Sequence, residues 1–189
     1  MMSNVEHVWK GKGAITETLK GKATLLRTLK PYLFFNLLCQ VGNSTINSTI
    51  LYCAPLWGPS SQGNRNKVQA AQIKAARMIT GTWNSTDRQE LLNKIRWPNV
   101  EQLVKASTLN ILRSAMEGKA SQGMRDLFKI TKPLEGSRRQ EIRFDFKGDR
   151  KRTDNMFSTY AAQTFNLLPE EIKDPSITTN KFKLKLKNI

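Results

Sequence analysis

The sequence predicts a mainly α-helical protein: a small helical bundle with a short β segment near residues 141–147 and a basic loop. Along most of the 189 residues, apolar side chains recur three or four positions apart, which is the period of an amphipathic helix. The clear period-two alternation lies at Ile142, Phe144 and Phe146, where charged residues intervene. The length corresponds to one domain with at most an appended subdomain.

The chain is expected to have three parts. Residues 1–13 should form a flexible N-terminus, residues 14–118 a helical domain, and residues 119–189 a basic C-terminal extension with terminal helices. The second boundary is placed at Gly118 because regular helical spacing stops there, and prolines and clustered arginines follow it.

Three helical runs are predicted before the first glycine-proline turn. The first should end at Pro31, because proline cannot continue a helix. A second begins near Tyr32, and a third runs from about Ser44 to a point before Pro55. The helical spacing of the first run is set by Ile15, Leu19, Ala23, Leu26 and Leu29.

Three more helices should follow. One has a narrow apolar stripe and a cap at Gly81, since glycine readily adopts the left-handed conformation of a helix C-terminus. Thr86 and Gln89 have the spacing of a capping box and open a short helix. A longer helix begins after Trp97 and ends at Gly118. The stripe consists of Val68, Ala71, Ala75 and Met78, and the inward positions of the longer helix are Val100, Leu103, Val104, Thr108, Ile111, Leu112 and Ala115.

The C-terminal part should contain weaker elements. A short helix is expected around Met124, ahead of the β segment. A helix from about Phe157 should end before Pro169, and the two acidic residues after Pro169 suit the first turn of another helix, where the dipole favours negative charge.

Residues 31–64 carry no charged side chain. A membrane anchor would need ~20 unbroken apolar residues, whereas Asn36, Gln40 and other polar residues interrupt this run. The sequence therefore favours a core segment packed on all sides, with Cys39 and Cys53 as buried free thiols. Without an apolar signal-peptide core near the N-terminus, the predicted location is cytoplasmic and/or nuclear, with no membrane partner.

Composition excludes several kinds of site. The chain has one histidine, His7, and two cysteines, which is too few for a structural zinc site, and a Cys-His or Ser-His-Asp mechanism would depend on His7 in the flexible N-terminus. The lysines near Gly13 and Gly21 lack the spacing and the following hydroxyl group of a phosphate-binding P-loop. No metal and no cofactor is predicted.

A series of short blocks carries a resemblance to a known family. Residues 51–58 contain Y-x-x-P-x-W-G, residues 68–81 contain Q-x-x-x-x-R-x-I-T-G, and residues 91–100 follow L-L-x-x-x-x-W-x-x-V. Residues 165–172 follow F-N-x-L-P-x-x-I, and residues 182–187 follow F-K-x-x-L-K. This ordered set resembles the region beyond the polymerase core of jockey-type non-LTR retrotransposon (LINE-like) reverse transcriptases, which usually have tryptophan where this chain has phenylalanine in the fourth block.

The resemblance implies the post-palm, thumb-like helices and tail of an RNA-directed DNA polymerase. Such an enzyme holds a pair of metal ions on aspartates that include an adjacent Asp-Asp pair, and this chain has no Asp-Asp dipeptide. We therefore expect no catalytic residue here, and the polymerase core would lie before Met1. The aspartates of the chain are dispersed at Asp87, Asp126, Asp145, Asp149, Asp154 and Asp174.

The net charge of +16 predicts RNA or DNA as a partner, bound through the backbone without sequence specificity. One candidate surface is a helical stripe, the basic stripe, formed by Lys67, Lys74 and Arg77, with Ala70 between them permitting close approach. The other, the basic run, spans residues 138–152, where seven Lys and Arg residues accompany three acidic ones. Its candidate contact residues are Arg138, Arg139, Arg143, Arg150, Lys151 and Arg152.

Phe144 and Phe146 lie within the basic run. Aromatic side chains can stack on unpaired bases, but their period-two spacing favours packing on the core.

Three hypotheses about function remain open from the sequence. The chain is a nucleic-acid-contacting, non-catalytic part of a retroelement polymerase, with the upstream polymerase core as a further partner. Alternatively, it is an independent small basic RNA- or DNA-binding protein, or a structural remnant or protein-interaction module with no nucleic-acid role. The charge fits the first two, and the order of the motif blocks favours the first.

Overall fold

Helices make up most of the described chain, as the sequence predicts. The computed structural model describes residues 14–83, 87–128, 130–131, 143–144, 157–174 and 176–186. Contacts divide the chain between Leu103 and Val104 into two units, each described separately below.

The first helix of the first unit, α1 (Ile15–Leu29), ends just before Pro31 as expected. Its apolar face is buried through Leu19, Ala23 and Leu26. The main neighbour of α1 is the long helix α5 (Gln62–Thr80).

The second and third predicted runs form one continuous helical segment. It consists of α2 (Phe35–Gly42), a π-helical turn (Asn43–Asn47) and α3 (Ser48–Leu51). Gly42 does not interrupt it; a Cβ atom there would lie 2.6 Å from Cζ2 of Trp97 and 2.7 Å from Cδ1 of Ile79. The glycine is therefore explained by close packing rather than by a break in the helix.

The uncharged block is not packed on all sides, so that prediction is wrong. Leu38, Ile46 and Ile50 are buried, but the side chains of Tyr32 and Phe34 are 81% and 89% exposed. Tyr32 and Phe34 lie in the connection between α1 and α2. The segment from α2 to α3 packs against α1 and α5 through one face, which leaves Leu37 and Leu51 exposed as well. In the described ranges, no helix has the length and apolar character needed to cross a membrane.

The expected burial of the two thiols is also corrected. Cys53 is exposed and Cys39 is half-buried. Cys53 precedes the short helix α4 (Ala54–Trp57) and has a left-handed backbone with φ 52°. This sharp change of direction places its side chain outside the core although its sequence neighbours are apolar.

The next two helices begin and end at defined caps. Helix α5 ends at Gly81, which has φ 75° as predicted for a C-terminal cap. Helix α6 (Arg88–Lys94) begins one residue later than predicted: Asp87, not Thr86, is its N-cap, and its carboxylate accepts a hydrogen bond from the Glu90 N–H. Thr86 itself lies outside the described residues.

Helix α7 (Val100–Met116) opens with a capping box that was not predicted from the sequence. The Asn99 side chain accepts from the Gln102 N–H at 2.9 Å, and the Gln102 side chain accepts from the Asn99 N–H at 2.9 Å. This reciprocal pair satisfies backbone donors that the first helical turn leaves free.

The second unit contains α8 (Gln122–Asp126), α9 (Phe157–Asn166), α10 (Glu170–Lys173) and α11 (Thr179–Leu186). The contact boundary precedes the predicted one at Gly118 because the later part of α7 supplies apolar side chains to this unit's core. That core consists of Leu109, Leu112, Ala115, Phe128, Ala161, Ala162, Phe165, Leu168, Ile172 and Phe182.

The described β structure is one antiparallel pair. Strand β1 (Ile130–Thr131) pairs with β2 (Arg143–Phe144), with Ile130 opposite Phe144. The other residues of the predicted 141–147 segment lie outside the described ranges.

Candidate nucleic-acid interface

The basic stripe lies on the outer face of α5. Lys67 and Lys74 are exposed, Arg77 is half-buried, and Ala70 between them is exposed. At the rise of an α-helix, the stripe extends about 15 Å from Lys67 to Arg77. The helix thus presents three cations in a row, with a small side chain between the first two.

The opposite face of α5 holds the stripe in place. That face is buried against the rest of the unit through Val68, Gln72, Ile73, Ala75, Ala76, Met78 and Ile79. Because the core side of α5 is fixed along most of its length, the backbone that carries the stripe loses little conformational freedom when a ligand binds.

Two glutamines attach α5 to the segment that begins α7. Gln72 Nε2 donates to the Pro98 carbonyl at 2.9 Å, and Gln69 Oε1 accepts from the Val100 N–H at 2.9 Å. A further hydrogen bond of 2.9 Å joins the two glutamine side chains. Since Gln72 is fully buried, these bonds also satisfy its polar groups in the core.

The charge around the stripe favours an anionic partner. Up to Leu103, the described residues include eleven Lys and Arg but four Asp and Glu. Within those residues, Lys67, Lys74 and Arg77 form no ion pair. Their charges are therefore available to phosphate groups.

Most of the basic run falls outside the described ranges. This applies to Arg138, Arg139, Arg150, Lys151 and Arg152. Of its candidate residues, only the backbone of Arg143 is described, in β2 opposite Thr131.

Arg113 is a basic residue that serves the core of the second unit rather than its surface. Its side chain is 2% exposed, and its Nε donates to Glu117 Oε1 at 2.8 Å. Its Nη1 donates to the Asp174 carbonyl at 3.1 Å, its Nη2 donates to the Ile177 carbonyl, and its guanidinium lies 5.4 Å from the Phe182 ring centroid. Leu112 precedes this residue and Ser114 follows it, and no pattern in the sequence indicates its burial.

Glu117 is held ionised by several donors. Hydrogen bonds from Lys119 and Arg113 lower the pKa of Glu117 to about 2. Thr179 Oγ1 also donates to this carboxylate, at 2.9 Å to Oε2. The cluster is therefore a structural junction between α7 and α11.

The motif blocks of the sequence resemblance supply core residues in each unit. Trp57, Gln72 and Trp97 are buried in the first unit, and Phe165 and Phe182 in the second. In the described ranges, no group of three or more His, Cys, Asp and Glu side chains is placed to hold a metal ion. Comparison with protein-family models, with curated proteins and with solved structures finds no match to the chain.

Proposed function

We propose that this chain is a non-catalytic region of a retroelement RNA-directed DNA polymerase, comprising its thumb-like helices and tail, and that it contacts the RNA or DNA backbone. The observation that carries the proposal is the basic stripe: cations on the outer face of an ordered helix, which form no ion pair with the residues that the structure describes. The upstream polymerase core would be its second partner.

Packing between motif blocks supports the proposal. The block at 68–81 provides Gln69 and Gln72, and the block at 91–100 provides their partners Pro98 and Val100. The same helix that presents the basic stripe outward therefore joins two blocks inward.

Binding through the stripe follows ordinary polyelectrolyte physics. Lys and Arg side chains that neutralise phosphates release condensed counterions, so affinity falls as salt concentration rises. Ala70 allows the backbone of the bound strand to approach the helix. No base-specific contact is required, so the binding should be insensitive to sequence.

The test compares two double variants with equal charge change. Lys67→Ala/Lys74→Ala removes two exposed cations from α5, and Lys20→Ala/Arg27→Ala removes two exposed cations, also seven positions apart, from α1. Arg77 is left unchanged because it is half-buried, and its truncation would also remove packing.

Binding to single-stranded RNA and to duplex DNA is titrated at several salt concentrations. We expect the α5 variant to reduce the log–log salt slope by about one unit per lost phosphate contact, and the α1 variant to change it less. Equal effects of the two variants contradict a localised interface. Binding no tighter than that of an unrelated protein of equal charge contradicts the function as a whole and favours a structural remnant.

The genomic part of the proposal has a separate test. Translation of the DNA upstream of this reading frame should reveal a polymerase segment with an adjacent Asp-Asp pair. If the flanking DNA encodes no such segment, the chain is a separate basic protein or a remnant, whatever its affinity for nucleic acid.

A further inference from the structure

A cleft in the first unit lies apart from the basic stripe. Its volume is about 540 Å³, which is within the range of pockets that hold small ligands. One wall is a stripe of α2 and the following π turn, and the other is the end of α6 with the residues after it. The first wall consists of Phe35, Asn36, Cys39, Gln40 and Asn43, and the second of Lys94, Ile95, Arg96 and Trp97.

Two cations stand on the second wall. Lys94 and Arg96 are both exposed, and neither forms an ion pair with another described residue. Lys94 lies in the last turn of α6, where the helix dipole favours a positive charge. Arg96 lies beyond the end of α6, where the helix dipole stabilises a positive charge less.

The backbone of Arg96 makes the choice of residue there unusual. Its φ is 55°, its N–H donates to the Asn93 carbonyl at 3.0 Å, and the Trp97 N–H donates to the Leu92 carbonyl at 2.9 Å. This is the Schellman arrangement, whose left-handed position is usually glycine because a Cβ is disfavoured there. Glycine would therefore fit the local backbone better, and the arginine side chain that replaces it lines the cleft.

The remaining lining groups suit a planar ligand with polar edges. Phe35 is 44% exposed on the α2 wall, and Asn36 and Gln40, one turn apart, present amide donors and acceptors. Trp97 also lines the cleft, and its side chain is 3% exposed.

We propose that this cleft binds a nucleoside phosphate, with its phosphate between Lys94 and Arg96 and its base against Phe35 and the neighbouring amides. Cations are the usual phosphate ligands, and aromatic and amide side chains are the usual partners of an unpaired base. The choice of a nucleotide rests on the proposed function. The nucleotide in the cleft is either a free mononucleotide or one nucleotide of a bound strand.

Cys39 in the cleft wall provides a direct readout. In a Cys53→Ser background, the rate of Cys39 alkylation is measured with adenosine 5′-monophosphate, with orthophosphate and with a short single-stranded oligoadenylate. Arg96→Gly removes the side chain while supplying the residue that the backbone favours, so this variant should fold with undiminished thermal stability. Arg88→Ala, an exposed residue of α6 outside the cleft, is the control of equal charge.

We expect the mononucleotide to slow Cys39 alkylation. Arg96→Gly should raise the mononucleotide concentration that gives half-maximal protection by about tenfold, which is the effect of losing a charge-assisted hydrogen bond. Arg88→Ala should behave like the parent. Protection by oligoadenylate at lower nucleotide concentration than by the mononucleotide assigns the cleft to a bound strand, and the reverse order assigns it to a free nucleotide.

Two results overturn the proposal. One is Cys39 alkylation that neither the mononucleotide nor the oligoadenylate changes, and the other is equal protection by orthophosphate, which leaves only an anion site. Neither result affects the basic stripe, whose test uses Lys67 and Lys74 on α5. Conversely, the parent protein could bind neither RNA nor DNA strands while the mononucleotide still protects Cys39. That result contradicts the proposed function and leaves the cleft as a free-nucleotide site.

Discussion

The amide of Gln72 donates to the side-chain carbonyl of Asn47 at 2.8 Å, and both side chains are buried, 0% and 3% exposed. Asn47 is the last residue of the π turn, and Gln72 lies in the middle of α5. This hydrogen bond therefore helps to fix the register between the two helical segments.

Replacing Gln72 with leucine should destabilise the fold. The substitution leaves the Asn47 and Pro98 oxygens without their common donor, and an unsatisfied buried group costs about 1–3 kcal/mol. We expect the free energy of unfolding, measured by urea titration, to fall by that amount. Gln62→Ala at the exposed start of the same helix is the control and should change it by less than about 0.5 kcal/mol. Equal effects of the two variants would show that the buried hydrogen bond does not contribute to the free energy of unfolding.

The same glycine-to-alanine change should have opposite signs at two helical sites. A Cβ at Gly42 would lie 2.6 Å from Trp97, whereas a Cβ at Gly21 in α1 has no atom within 4 Å. Gly42→Ala should therefore lower the free energy of unfolding by about 1–3 kcal/mol through overpacking, and Gly21→Ala should raise it by about 0.5–1 kcal/mol. Thermal unfolding of both variants checks this, and a stable Gly42→Ala protein would contradict the packing of Trp97.

Glu117 should make stability depend on pH at the acidic end. Its folded pKa of about 2 is below the usual value, so its ionised form stabilises the fold above about pH 4.3, and this contribution is lost as pH falls toward the folded pKa. The difference in melting temperature between the parent and Glu117→Gln should be largest near neutral pH and should shrink across that window. Glu90→Gln, at an exposed position of α6, is the control. A difference that stays constant with pH would contradict the Lys119 and Arg113 contacts.

The two thiols should react at different rates. Cys53 is exposed, while Cys39 is half-buried and burial raises its pKa, which lowers its thiolate fraction. A thiol reagent at neutral pH should label the folded protein in a fast and a slow phase. Cys53→Ser should remove the fast phase and Cys39→Ser the slow one. If Cys39 reacts first, the orientation of α2 is incorrect.

The basic run should act mainly through long-range attraction. Changing Arg150, Lys151 and Arg152 together to alanine removes three adjacent positive charges. Affinity for all nucleic-acid sequences should weaken alike, with a salt slope that falls by about one unit per lost phosphate contact. Filter binding with several unrelated RNA and DNA sequences measures this. Weakening for only one of the sequences would point to base recognition instead.

The sequence by itself determined the helical class and several helix ends. Pro31 ends α1 and Gly81 caps α5 because a missing N–H and a missing side chain act locally, whatever the chain packs against. It also predicted that Lys67, Lys74 and Arg77 share a helix face, since helical spacing alone places them there. Their role in binding stays a prediction.

The tertiary structure decided which apolar and polar residues are inside. Leu37 and Leu51 belong to an uncharged block yet are exposed, because α1 and α5 cover one face of its helical segment. Arg113 and Gln72 are polar yet buried, because partners distant in sequence, such as Asp174 and Pro98, satisfy their hydrogen bonds. Burial depends on which helices pack against each other in the tertiary structure, and the local sequence pattern does not specify those contacts.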